Sequence, residues 1–234
     1  LFHVSPSTAT YTLQLFGETL TLLPEKAIWS ASHRALFLAD THFGKATHFR
    51  KAGIPVPEQV HAGDFQRLAA LVEAYPVERV YFLGDLFHSD WNSAWEDFLD
   101  FISAYPSVNW HLIKGNHDIL RPHQYAGSPL QVHAEGLALG QMLLRHTPLE
   151  EARTTAPDTE RLILCGHVHP GFRVQGRGRQ QLRMACFLRQ GSQLILPAFG
   201  SFTGLHVPEI SPADSVYLVS GATVLHWPMG KALR

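Results

Sequence analysis

Five apolar runs in this chain each stop at side chains that bind metal ions or move protons. They end at Asp40 and His42; at Asp85; at Asn116, His117 and Asp118; at His146; and at His167 and His169. The inventory is imidazole, carboxylate and one amide oxygen, with no thiolate. Asp40 and His42 are two residues apart, as are His167 and His169, which in an extended segment turns both side chains of a pair to one side. In Lys114-Gly115-Asn116-His117-Asp118 a glycine lets the backbone turn sharply just before the polar cluster. One such ending is an ordinary turn or cap; five in succession, each behind an apolar run, are not explained by packing. Asp40, His42, Asp85, Asn116, His146, His167 and His169 are too many ligands for one structural zinc. They suit two ions about 3.5–4 Å apart that share a carboxylate. Manganese, iron or zinc fits such an N/O set better than calcium or magnesium.

For these groups to meet, the runs before them must be neighbouring strands, because open α/β folds gather their sites at the carboxyl ends of a sheet. The segments 35–39, 79–83, 108–113, 142–145 and 161–165 are short and largely apolar, as strands buried on both faces are. Val60, Phe65, Leu68, Ala69, Leu71 and Val72 recur at helical spacing over 58–75, and Pro76 closes that helix. A second helix runs from Asp90 or Asn92 to about Tyr105, with Trp95, Phe98, Leu99 and Ile102 inward. Residues 10–30 alternate like a hairpin around Phe16-Gly17-Glu18. Beyond Pro122 the pattern predicts paired strands broken at Gly136 and Gly140, and a closing hairpin over 215–226. Between the first strand and the first helix, 43–57 reads as a long functional loop with basic Lys45, Arg50 and Lys51. No internal repeat or linker interrupts the chain, so 1–234 reads as a single domain.

The 234 residues are 45% hydrophobic, enough for a sizeable core. No run approaches the ~20 apolar residues of a membrane span, and the first residues lack the pattern of an export signal. Two cysteines, Cys165 and Cys186, are too few for a disulfide framework, which points to a reduced, cytoplasmic protein. A net charge of -1 argues against a protein that coats nucleic acid by bulk charge. The average hides an asymmetry: between Glu160 and Glu209 there is no acid, while Arg161, Arg173, Arg177, Arg179, Arg183 and Arg189 all fall there. Such a field favours an anionic partner.

Taken together, Asp40-x-His42, Gly84-Asp85, Gly115-Asn116-His117-Asp118, His146 and Gly166-His167-x-His169 resemble the calcineurin-like metallophosphoesterase superfamily over residues 36–170. That resemblance implies an α/β (α+β) fold, a four-layer αββα sandwich of two mixed sheets. Two further stretches are similar to the bacterial ligase-associated DNA damage response endonucleases (PdeM). One is Leu38-Ala39-Asp40-Thr41-His42-Phe43-Gly44-Lys45 with Phe49-Arg50-Lys51-Ala52-Gly53-Ile54-Pro55-Val56-Pro57; the other is Pro197-Ala198-Phe199-Gly200-Ser201-Phe202-Thr203-Gly204.

The resemblance implies that Asp40, His42, Asp85 and His169 hold one ion. Asp85, Asn116, His146 and His167 would hold the other, with Asp85 bridging. It implies a hydroxide shared by the two ions attacking phosphorus in line. His117 would donate to the leaving oxygen, Asp118 would orient His117 through its other ring nitrogen, and His88 would face the substrate. The basic loop assigns Lys45, Arg50 and Lys51 to the substrate. The expectation is a phosphodiesterase with two divalent ions, best Mn²⁺, acting as an endonuclease on DNA in repair. A DNA ligase and a helicase would be functional partners, with no membrane. Protein phosphatases usually carry Gly-Asp-x-Val-Asp-Arg-Gly and Gly-Asn-His-Glu, whereas this chain has Gly84-Asp85-Leu86-Phe87-His88-Ser89-Asp90 and Asp118. Hydrolysis of a small nucleotide diester stays open. So does a non-catalytic binding subunit, although such members normally lose ligands and none is missing.

Overall fold

The structure, a computed structural model, describes residues 9–45, 59–87, 93–150, 152, 161–175 and 180–228, with only the main chain of 59–62 and 93. The chain opens with a hairpin, β1 (Tyr11–Leu15) and β2 (Glu18–Leu22). Its two loop residues, Phe16 and Gly17, have φ of 52° and 79°, the left-handed pair whose twist matches the flanking strands. β3 (Ile28–Ser30) and β4 (Ala35–Leu38) extend the sheet antiparallel. From β4 the sheet becomes parallel through β5 (Arg79–Leu83), β6 (Asn109–Ile113) and β7 (Leu130–His133). Parallel neighbours need crossovers. These contain α1 (Gln59–Ala74), α2 (Ser93–Ser103) and the four-residue α3 (Pro122–Tyr125).

The second sheet is also mixed. β9 (Met142–Leu144), β10 (Leu162–Cys165) and β13 (Gln193–Ile195) run parallel. β8 (Leu137–Leu139) flanks them on one side; β12 (Gln181–Gln190), β14 (Ser215–Ser220) and β15 (Thr223–Trp227) lie on the other. β11 (Gly171–Gln175) pairs only with the first half of β12. The paired strands predicted beyond Pro122 need correcting: β7 joins β6 in the first sheet, and the hairpin about Gly140 is β8–β9 in the second. Alternating apolar residues announce strands without naming their partners, and tertiary burial made the choice.

The two sheets face each other. Phe37, Tyr81, Leu83 and Ile113 from the first pack against Met142, Leu144, Leu162, Leu164, Phe187 and Leu194 from the second. α1 and α2 cover the far face of the first sheet, where Leu68, Leu71, Phe98 and Ile102 meet Leu36, Phe82 and Trp110. The far face of the second sheet carries Ile163, Leu188 and the free cysteines Cys165 and Cys186; Leu149, Ala152, Phe172, Ile210 and Trp227 pack there, with no α-helix among the described residues. Burial raises both thiols, that of Cys186 to about 12. Among the described residues no helix is long and apolar enough to cross a membrane. Two mixed sheets packed face to face put the carboxyl ends of β4, β5, β6, β9 and β10 along one edge.

Candidate metal centre

Beyond their last regular residues the strands stay tied together. The Asp40 amide donates to the Gly84 carbonyl at 3.1 Å, the His42 amide to the Asp85 carbonyl at 3.0 Å, and the Gly166 amide to the His146 carbonyl at 2.9 Å. The turns that follow are left-handed. Asp40, His42, Asp85, His167 and His169 have φ of 53°, 46°, 53°, 70° and 50°. A non-glycine residue there costs roughly 1–2 kcal/mol, and such residues collect where function requires them. Here the strain redirects each side chain from the sheet faces into one pocket at the edge.

Two clusters result. The ligand atoms of Asp40, His42 and His169 lie within 4.8 Å of one another, and so do those of Asp85, His146 and His167. Asp85 also faces the first cluster: its Oδ2 is 4.0 Å from His42 Nε2 and 3.5 Å from His146 Nε2. Asp40, His42, Asp85 and His146 are buried, whereas Asn116 and His167 reach the surface.

The contacts are those of a cation site. His146 Nδ1 meets the Leu83 carbonyl at 2.9 Å, so it carries the proton and leaves Nε2 with a lone pair. Around that lone pair stand Asn116 Oδ1 at 3.0 Å, His167 Nδ1 at 3.1 Å and Asp85 Oδ2. In the other cluster Asp40 Oδ1 and His169 Nε2 are buried 3.2 Å apart, and among the described residues neither has a hydrogen-bond partner. Potential ligand atoms buried this close together without partners would be satisfied by positive charge, so the residues fit divalent cations. His167 is suited to ligation, because partial burial first, then the neighbouring His146, lowers its pKa and favours the neutral imidazole.

The scaffold is built around these groups. A Cβ on Gly84 would fall inside the His146 imidazole, and one on Gly115 would collide with the Asp85 carboxylate. The Asp118 carboxylate accepts main-chain amides of the neighbouring turns. Its Oδ2 accepts the amides of Asp85 and Gly115, both at 2.8 Å, and its Oδ1 that of Leu86 at 2.9 Å. It fastens the end of β5 to the end of β6. Burial outweighs those donors and raises Asp118 to about 6. His117 is anchored through its main chain, whose amide donates to Asp85 Oδ1 at 2.9 Å; its exposed ring lies 5.6 Å from that of His42.

Lys45 sits on the same rim, its pKa lowered by burial against the opposing charge of Asp85. His88, Arg50 and Lys51 lie outside the described residues. Beside His146 opens a cleft of about 510 Å³ bordered by Lys114, Glu135, Arg145 and Thr147.

One supporting group was invisible in the sequence. Buried Asp64 on α1 accepts from the Ser201 amide at 3.1 Å, the Ser201 hydroxyl at 2.6 Å and Arg67 at 2.9 Å. Arg67 also donates to the Phe199 carbonyl and lies 4.1 Å over the Phe199 ring. That ring is fully buried and belongs to the core. The loop so held donates its Phe199 amide to the Ala39 carbonyl at 2.8 Å and its Gly200 amide to the Asp40 carbonyl at 3.2 Å. Asp64 and Arg67 therefore buttress the Asp40–His42 turn from outside the pocket. The only signal for them was the Pro197–Gly204 stretch, which marks the loop but not what grips it.

Residues 33–139 match the calcineurin-like phosphoesterase family. Among solved structures, the chain is similar to nuclease MPE of Pseudomonas putida, with 30% identity over 93% of this chain and 100% of that one and a TM-score of 0.73. AQ665 of Aquifex aeolicus is 20% identical over 61% of this chain and 80% of that one, TM-score 0.40. The E. coli phosphoesterase Yfce is 14% identical over 80% and 88%, TM-score 0.37. No curated protein sequence matches the chain significantly.

Proposed function

The chain belongs to the calcineurin-like phosphoesterases and is a metal-dependent phosphoesterase; from there we propose that it is a two-metal phosphodiesterase that cuts DNA, best with manganese, in DNA repair. The observation that carries this is the meeting of two three-residue clusters, Asp40/His42/His169 and Asp85/His146/His167, across the Asp85 carboxylate. Asp40, His42, Asp85 and His169 would hold one ion, and Asp85, Asn116, His146 and His167 would hold the other. Two such cations supply an activated water and neutralise charge on the phosphoryl oxygens. The mixture of imidazole and oxygen donors without thiolate suits manganese, iron or zinc, and manganese is our choice among them.

The protein's own groups do the rest. Strained turns hold the ligands at their positions before substrate arrives, which removes reorganisation from the reaction. The exposed ring of His117, fixed by its own amide on Asp85, donates a proton or hydrogen bond to the leaving oxygen. Asp118 keeps the Asp85 and Gly115 turns in register. Lys45 offers a positive charge to the substrate phosphate. Arg50, Lys51 and His88 are assigned to substrate on motif similarity alone. A nucleic-acid substrate is supported by the likeness to a nuclease. Free, buried Cys165 and Cys186 suit a reducing cytoplasm. A DNA ligase and a helicase are its proposed functional partners.

A panel of a small phosphodiester, a phosphomonoester and labelled DNA, each with Mn²⁺, Mg²⁺ and Zn²⁺, tests this against Asp85→Ala. Cleavage of the diester and of DNA, strongest with Mn²⁺ and absent in the variant, is the expected result. Faster turnover of the monoester refutes a phosphodiesterase, and diester hydrolysis without DNA cleavage refutes a nuclease.

A further inference from the structure

β11 and β12 form a two-stranded arm that leaves the second sheet at the metal edge. Its base is stitched directly behind a candidate ligand: the His206 amide donates to the His169 carbonyl at 3.0 Å, the Gly171 amide to the His206 carbonyl at 2.7 Å, and the Cys186 amide to the Pro170 carbonyl at 3.1 Å. The register pairs Gly171 with Ala185, Phe172 with Met184, Arg173 with Arg183 and Val174 with Leu182. Two arginines thus stand directly opposite each other, an arrangement that costs stability unless something anionic lies between or over them. Both are exposed, and among the described residues neither has an ion-pair partner. Neither strand carries an acid.

The two faces of the arm are unlike. Phe172, Val174 and Met184 pack on the outer cluster of the second sheet. Arg183 alternates with Ala185 and Phe187, and Phe187 is buried between the sheets. The arginine face is therefore the inter-sheet face continued past the edge that carries the candidate ligands. Arg173 follows His169 by four residues, about 13 Å along a strand.

We propose that the Arg173–Arg183 pair grips the phosphate backbone of the substrate strand beside the bond being cut. Paired guanidinium forks bind phosphate oxygens two at a time and carry no sequence preference. The proposal rests on the nuclease assignment above and adds where the strand runs: over the β11–β12 arm.

The test compares the full-length protein with Arg173→Gln/Arg183→Gln and with Arg173→Lys/Arg183→Lys, on single-stranded DNA and on a small diester that reaches only the metal centre. The ratio of kcat/KM on DNA to that on the small diester should fall roughly tenfold in the glutamine variant, mainly through KM. Its plot of log kcat/KM against log salt should flatten by about 1.4, two single-strand phosphate contacts at ~0.7 each. The lysine variant should keep the slope and lose part of the affinity. An unchanged ratio and slope in the glutamine variant overturns the grip while leaving the nuclease assignment intact. A wild type that turns over the small diester but not DNA overturns both.

Discussion

Two pairs of histidines in this protein touch in nearly the same way and do different things. His111 Nδ1 lies 3.2 Å from His133 Nε2 across β6 and β7; His167 Nδ1 lies 3.1 Å from His146 Nε2 at the metal edge. The first pair is stacked at 24° and continues a column in which His111 lies 4.6 Å from Tyr81, itself stacked on Phe37. His133 and Arg79 both disfavour a proton on His111, and among the described residues no carboxylate offsets them. The second pair meets at 78° and is ringed by Asp40, Asp85 and Asn116. Close imidazoles are thus compatible with plain sheet packing. Carboxylates turned inward on left-handed turns distinguish a place for cations from a stack of rings.

The sharpest way to break that contrast is to remove its bridge. Asp85→Ala should lower diester hydrolysis on the order of a thousandfold, while His111→Phe leaves the rate within about twofold; steady-state kinetics with Mn²⁺ decide. Cation binding gives the next largest effect. Adding Mn²⁺ to metal-stripped protein at 100 times its Kd should raise folding stability by about 2.7 kcal/mol, visible as a higher Tm. His146→Ala should lose much of that gain, and His133→Ala should retain it. A third test reaches the buttress. Asp64→Asn should weaken Mn²⁺ binding roughly tenfold in calorimetry without removing a ligand, and unaltered affinity would show that the Phe199–Ser201 loop holds itself.

The smallest effect belongs to the stacked pair. Burial, then the His133 and Arg79 charges, pushes His111 down to about 4, and burial lowers His133 as well. In the unfolded chain both titrate near 6.5. The pair therefore contributes its full stability above that value and loses it as the pH falls from about 6.5 towards about 4. His111→Phe should remove part of that acid sensitivity. Urea midpoints at pH 8 and pH 5 should differ less in the variant than in the parent chain.

Much of this was legible in the sequence because ligand-type residues are conspicuous after apolar strands: nothing in core packing asks for Asp40, Asp85 or His169 where they stand. β4, β5 and β6 announced themselves as short runs buried on both faces. What stayed hidden depended on partners distant in the chain. Residues 130–144 alternate equally well for a parallel or an antiparallel neighbour, so the crossing of the chain from β7 to β8 was not visible. Asp118 stands beside His117 in the sequence, and nothing there shows that its oxygens also meet three amides of neighbouring turns. Asp64 reads as one more polar position on a helix until Ser201 arrives from the far end of the chain.

The two glycines that make room for other strands' ligands tie the fate of separate parts of the polypeptide together. Gly84 has no freedom to gain even a methyl group while His146 remains an imidazole, and Gly115 is bound in the same way to Asp85. A lineage that drifts at either glycine would damage cation binding with every ligand still in place. Change at this edge of the molecule has to come in matched pairs, so a tally of intact ligands alone would overstate how many descendants still work.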